Sequence, residues 1–220
     1  MTAEPAEVAS RTDRRRQRTR AALLSAAQGF LADGRTNVSI QQITDAADVG
    51  FGSFYNHFES KDALFEAAVA EVLDTYAGAL DQIVAGYDDP AEVFAVSFRT
   101  TARLQREAPQ MVRILLNEGT AVLLRDAGLA GRARADLTAA ATTRRFDIDD
   151  VELALMTAGG ALLGVLQLLD AHPEADAGRL ADQMTARVLR AFGLSKDAAG
   201  ELCARPLPGP PALRPAEATP

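Results

Sequence analysis

Apolar residues recur at three- and four-residue spacing through most of the chain, and no segment sustains the Val/Ile/Thr alternation of a sheet. The pattern predicts helices throughout. Leu23, Ala27, Phe30 and Leu31 mark the buried stripe of a first helix from about Asp13 to Ala32, ended by Asp33-Gly34. The next start is written in cap chemistry: Ser39 with Gln42 three residues on matches a capping box, and Val38 and Ile43 sit at hydrophobic-staple spacing. Ile40, Ile43 and Ala47 point inward over about two turns. A break at Asp48-Val49-Gly50 leads to a second short helix, 51–57, in which Phe54 and Phe58, four apart, face the core. Ser60 caps a long helix whose apolar face includes Leu64, Phe65, Leu73, Tyr76 and Leu80, ending near Gly86.

Asp89-Pro90 restarts the pattern as N-cap and first helical position, with that helix reaching about Glu107. Pro109 breaks it, and 110–118 form a short piece. A further helix over about 120–144 contains Gly128 and Gly131. Another runs from Asp147–Asp150 to about Asp170, and Pro173 separates it from a last one over about 176–192, closed by Gly193. The expectation is an all-α chain of about nine helices without internal repeat. A three-helix head occupies 12–58 and a larger helical body 59–195; residues 1–11 and the tail 196–220 read as disordered, since 206–220 alone holds six prolines. Residues 151–169 are apolar almost all round. Thr157, Gln167, Gly159, Gly160 and Gly164, with the acidic lead Asp147, Asp149, Asp150 and Glu152, argue for a fully buried helix and against a membrane span.

Charge changes this picture. The net charge of −7 argues against a nucleic-acid partner, but residues 10–61 carry eight Lys/Arg against five Asp/Glu, and 62–220 are net −8. A basic head on an acidic body binds phosphate locally. Arg14, Arg15, Arg16, Arg18 and Arg20 crowd the front of the first helix, where they serve either as a solvated face or as phosphate contacts. The single Cys203 excludes a disulfide framework and fits the cytoplasm; the N-terminus has no apolar signal region. Two histidines without ligand spacing, no Ser/His/Asp set, no phosphate loop and no HExxH lead to the expectation of no metal, no cofactor and no enzyme.

Two short helices joined by a tight turn behind a stabilising helix make a helix-turn-helix, whose second helix enters the major groove. With Phe54 and Phe58 turned inward, Phe51, Gly52, Ser53, Tyr55, Asn56 and His57 are left toward DNA. Gly52 allows close backbone approach; Ser53 and Asn56 suit base edges or phosphates; the Tyr55 hydroxyl and neutral His57 suit phosphate. Lys61 begins a helix, where its charge and the helix N-terminus favour phosphate together. Ser39 and Gln41 open the preceding helix near the backbone, and Gln41 can reach a base.

The run Ile40-x-x-Ile43-x-x-x-Ala47-x-Val49-x-x-Gly52-Ser53-Phe54-Tyr55-x-His57-Phe58-x-x-Lys61-x-x-Leu64 resembles the tetracycline-repressor (TetR) family over about 50 residues. The resemblance implies a homodimer on double-stranded, palindromic operator DNA, acting as a repressor released by a small molecule, with DNA contacts at Ser39, Gln41, Phe51, Gly52, Ser53, Tyr55, Asn56, His57 and Lys61. It also implies a dimer interface built from the helices near 150–170 and 176–192, and the long helix from Ser60 as the lever joining both parts. Three positions depart from the family pattern. Asp48 stands for Gly in the turn, Gly50 for a Ser or Thr cap, and Phe51 for a polar or basic residue, where it suits a thymine methyl. A pocket for an apolar ligand is expected among Phe94, Phe98, Met111, Leu115 and Met156, with Asn117, Glu118 or Thr120 as polar anchors. The alternatives are an activator or protein-responsive regulator of the same fold, or a helical enzyme or scaffold.

Overall fold

The computed structural model describes residues 11–209, and they hold ten α-helices, one 3₁₀ segment and no strand. Of the disordered lead expected at 1–11, residues 1–10 lie outside the described residues, as does the end of the tail, 210–220. The described chain divides into two compact units, 11–71 and 72–209.

The first unit contains α1 (Arg11–Ala32), α2 (Ile40–Ala46), α3 (Phe51–Phe54) and the opening turns of α4 (Lys61–Val84). Its core joins Leu23, Leu24, Ala27 and Leu31 of α1 to Ile43, Phe54, Phe58 and Leu64, all buried. The unit ends inside α4, later than the boundary drawn at residue 58. The first turns of α4 belong to the head: Gln28 of α1 donates a hydrogen bond from Nε2 to Glu71 at 2.9 Å. Residue 11 is already helical, so α1 starts earlier than the expected Asp13.

The second unit contains the rest of α4 with α5 (Pro90–Ala102), α6 (Pro109–Glu118), the 3₁₀ segment Gly119–Leu124, α7 (Gly128–Thr142), α8 (Val151–Ala171), α9 (Ala177–Ala191) and α10 (Lys196–Ala204). The caps lie where their chemistry put them: Asp89 accepts from Ala91 N–H, Asp150 from Glu152 and Leu153 N–H, and Asp176 from Arg179 N–H. Packed at the centre are Phe94, Phe146 and Phe192, with ring centroids 5.3–5.7 Å apart.

Four expectations are corrected here. α5 ends at Ala102 rather than about 107, its last turn loosening into 103–107. The helix expected over 120–144 is split, because Arg125 turns to extended backbone and Gly128 takes φ +63°. The stretch 196–204, assigned to a disordered tail, is α10. It is capped by Ser195 and anchored by buried Ala199 and Leu202. Its end is gripped by Arg99 of α5, whose Nη1 donates to the carbonyls of Leu202 and Arg205 at 3.4 and 2.9 Å. Finally, α8 is not fully buried. It is long and apolar enough to cross a membrane by length and composition, yet only a third of its most apolar stretch is buried within the chain. One side packs against α7, α9 and the 3₁₀ segment. The other exposes Leu153 and Leu168 beside Thr157, Gly160 and Gly164.

Candidate nucleic-acid interface and body cavity

In the head the capping box closes as its spacing requires. Gln42 N–H donates to Ser39 Oγ at 3.2 Å, and Ser39 N–H donates back to Gln42 Oε1 at 2.8 Å. The turn then reverses the chain through Asp48 at φ +53°, with Val49 N–H donating to the Thr44 carbonyl at 3.0 Å. Aspartate tolerates this left-handed region better than most residues, so the turn closes without glycine. Gly50 serves as the cap of α3 with no side chain to offer.

The expected helix 51–57 is α-helical only over Phe51–Phe54. The chain continues as tight turns, with His57 N–H donating to the Phe54 carbonyl at 2.9 Å and Phe58 N–H to the same carbonyl at 3.0 Å. Gly50 and Gly52 supply little helix propensity, and Phe54 and Phe58 hold the segment from behind. Those rings are buried at 0% and 7% exposure and tilt together at 6.1 Å. Ser39, Gln41, Phe51, Gly52, Tyr55 and Asn56 are exposed, while Ser53, His57 and Lys61 are half-buried. Gln41 is not free as the sequence implied: its Nε2 donates to Asp45 Oδ1 at 2.6 Å, so a base contact has to displace that bond.

The arginines of α1 are all exposed. Arg15 and Arg18 line an open polar groove with Asp48, Val49, Gly50 and Ser53. Burial holds the His57 imidazole below its ordinary pKa, and the charges of Arg16 and Arg20 push it further down. His57 is therefore neutral at pH 7 and offers one N–H. The Arg20 guanidinium sits over the Phe58 ring, 5.3 Å from its centroid.

The body holds a cavity of about 70 Å³ among α5, α7, α8 and the 3₁₀ segment. Its walls are apolar: Leu80, Phe94, Phe98, Leu115, Leu155 and Leu162 among others. Of the residues expected to line it, Phe94, Phe98 and Leu115 do. Met111, Asn117 and Met156 do not, nor do Glu118 and Thr120. Met111 is buried one helical turn before Leu115; Met156 is about 100° around α8 from the stripe Leu155, Ala158, Gly159 and Leu162; Asn117 is exposed. The approach of the 3₁₀ segment to α8 is set by Gly159, where a Cβ would lie 2.3 Å from Leu123 Cδ2.

The polar edge of the cavity was missed by sequence reasoning. Arg132 and Asp136 of α7, one turn apart, were not singled out, yet both line it with Ser97 and Thr101. Arg132 Nη1 donates to Asp136 Oδ2 at 2.7 Å and Ser97 Oγ at 3.0 Å, and its Nε donates to Asp81 at 2.6 Å. Burial pushes the Asp136 carboxyl up to about 6 against the pull of Arg132, with the Asp81 charge adding to the rise. Beside them the buried Tyr76 hydroxyl donates to Thr101 Oγ1 at 3.0 Å, and its own pKa is raised by burial. An Asp/Arg pair four apart was the available signal. Among the described residues no cluster could hold a metal ion.

A cation-bearing helix-turn-helix joined in one chain to a helical body with an apolar cavity defines a ligand-sensing type of DNA-binding transcriptional regulator. Residues 23–68 match the family "Bacterial regulatory proteins, tetR family", and residues 89–205 match "Tetracyclin repressor-like, C-terminal domain". The chain belongs to the tetracycline-repressor family.

Among solved structures it is similar to RolR in complex with resorcinol, at 35% identity and TM-score 0.69, covering 89% of this chain and 97% of that one. RolR without ligand aligns at 33% identity and TM-score 0.67, covering 86% and 99%. A TetR-family regulator from Shewanella sp. PV-4, at 17% identity and TM-score 0.70 over 80% and 99%, shares the fold. The HTH-type transcriptional repressor DhaR of Mycobacterium sp. (strain GP1) is 58% identical over 36 residues, which span 16% of this chain and 18% of that repressor.

Proposed function

We propose that the chain is a dimeric repressor that leaves a palindromic operator when a compact hydroxylated ring enters the body cavity. The observation that carries the ligand class is the cavity itself, phenylalanine- and leucine-walled, with Arg132, Asp136, Ser97 and Thr101 gathered at one edge. Apolar walls with a few convergent polar groups suit a small ring bearing hydroxyls. Arg132 and Ser97 donate to such a hydroxyl's oxygen, and Asp136 accepts a hydrogen bond from its O–H. RolR, the 35% identical relative, binds resorcinol, a benzene ring with two hydroxyls. At about 70 Å³ the cavity has to open slightly for such a guest.

In this reading Ser39, Gln41, Phe51, Gly52, Ser53, Tyr55, Asn56, His57 and Lys61 contact the operator, with the α1 arginines on flanking phosphates. The exposed stripe of α8, Leu153, Thr157, Gly160, Gly164 and Leu168, pairs with α9 and their counterparts in a second copy, as the four-helix dimer interface. α4 runs unbroken from Lys61 to Val84, carrying a DNA-contact residue at one end and, near the other, the cavity residue Leu80 and Asp81, which pairs with the cavity residue Arg132. Ligand binds better to the conformer with lower operator affinity, and linkage makes the coupling reciprocal.

The test is a gel shift of fragments flanking its own gene by the purified protein, with resorcinol added. Expected are retardation that weakens steeply with salt, release by resorcinol, and at least tenfold weaker release by toluene, which has the ring without hydroxyls. Failure to retard any fragment at low salt overturns the regulator reading. Retention of operator affinity with no calorimetric binding of resorcinol, catechol or phenol overturns the ligand class alone. Reduced transcription of the neighbouring gene on deletion identifies an activator.

A further inference from the structure

The large apolar side chains of the 11–71 unit are buried or half-buried, with Phe51 and Tyr55 as the exceptions. Phe51 is 47% exposed and Tyr55 57%. They are not loose. The Phe51 ring meets the Tyr55 ring edge-to-face at 6.1 Å and 71°, and Tyr55 in turn meets the buried Phe54 ring at 5.3 Å and 80°. Three rings in series thus run from the core to the surface, and the outermost is held in place by one that is itself anchored. At Gly52, next to Phe51, even an added Cβ would meet nothing within 4 Å.

Guanidinium groups lie close by: Arg15 and Arg18 of α1 line a groove with Gly50 and Ser53, the residues that bracket Phe51 and Gly52, and with Asp48. Arg11, Arg14, Arg15, Arg16, Arg18 and Arg20 are exposed on α1 of the same unit. A phenyl ring presented beside exposed guanidinium groups suits a partner that is anionic overall and apolar at one point. Duplex DNA is such a partner: its major groove lines phosphates along the edges and presents one apolar group, the C5-methyl of a pyrimidine.

We infer that Phe51, propped by Tyr55, reads a pyrimidine C5-methyl in each operator half-site. The inference rests on the operator-binding reading above. The ring has neither donor nor acceptor, so the contact discriminates by volume and desolvation alone. Thymine and 5-methylcytosine satisfy it equally, whereas uracil and unmethylated cytosine leave a gap against the ring. Operator affinity is therefore sensitive to cytosine C5-methylation at that position.

The experiment uses the full chain and a duplex recovered by in vitro selection, with each half-site thymine replaced in turn by deoxyuridine, which removes the methyl and keeps the pairing. One thymine per half-site is expected to weaken binding about fourfold when replaced, and about fifteenfold when replaced in both, as expected for one buried methyl each. F51A is expected to bind the thymine and deoxyuridine duplexes alike. With cytosine placed opposite guanine at that position, 5-methylation restores binding by wild type and not by F51A. F51L, which keeps an apolar contact, is expected to retain part of the effect. Dissociation constants within twofold for every deoxyuridine duplex overturn the inference, as does F51A remaining as sensitive as wild type. If no duplex is recovered at low salt, the operator-binding reading fails first and takes this one with it.

Discussion

Removing the charge of Asp136 is expected to stabilise the protein, and only at the alkaline end. The side chain is 15% exposed, and burial lifts its pKa from 3.8 to about 6 although Arg132 Nη1 lies 2.7 Å away. A group whose folded pKa lies above its unfolded value contributes stability fully present below pH 3.8, and that stability is lost as pH rises through about 6. A displacement of about two pH units corresponds to about 3 kcal/mol, which partial solvent screening reduces to about 1–2 kcal/mol. Asparagine copies the protonated form. The attraction of Arg132 is already contained in the raised pKa, and Arg132 keeps Asp81 and Ser97 as partners after the change. D136N is therefore expected to match wild type near pH 4 and exceed it by about 1–2 kcal/mol at pH 8. Urea denaturation at 25 °C across pH 4–8 measures this, read as the difference between the two proteins. In the difference, other carboxyls cancel, including Asp89, whose pKa the hydrogen bond from Arg145 lowers. A difference that does not change with pH, or D136N losing ground above pH 6, refutes the reasoning.

Three further outcomes follow from the geometry. Asp48→Gly relieves the left-handed turn at φ +53° and is expected to raise stability by about 0.5 kcal/mol, while Asp48→Val lowers it by more than about 1 kcal/mol; thermal melts of both decide it. Gly159→Ala drives a methyl into Leu123, whose side chain lines the cavity. A loss of about 1–3 kcal/mol in urea and weaker calorimetric binding of resorcinol are expected, and unchanged values for both would show that the 3₁₀ segment yields freely. Leu153→Glu places a charge on the exposed face of α8 and is expected to shift the protein to monomer in sedimentation; a persistent dimer would place the interface elsewhere.

What was legible in the sequence was what neighbours in the chain decide. The Ser39/Gln42 box, the Asp89-Pro90 start and the Ser60 cap bond to amides two or three residues away, so local pattern suffices. The dense run from Gly52 to Lys61 was enough to recognise the head. Distant partners decided the rest. α10 is short and followed by prolines, and what holds it is a guanidinium more than a hundred residues earlier. Arg132 and Asp136 at (i, i+4) look like an ordinary solvated pair; only the packing of α5 and α8 around α7 turns them toward a cavity. Met156 has the hydrophobicity of a lining residue and the wrong helical phase. The spacing placed Phe54 and Phe58 inward but not the end of α3 at Phe54, after which the chain goes on in tight turns with the His57 and Phe58 N–H groups sharing the Phe54 carbonyl.

α5 is a party wall. On one side Phe94, Ser97, Phe98 and Thr101 border the cavity. On the other, Arg99 and Arg103 both clasp Asp182 of α9 at 2.7 Å, and Arg99 also holds the last carbonyls of α10. A guest that nudges this helix pulls on both tenants at once, so news of occupancy reaches α9 through a charged clasp as well as through soft apolar packing.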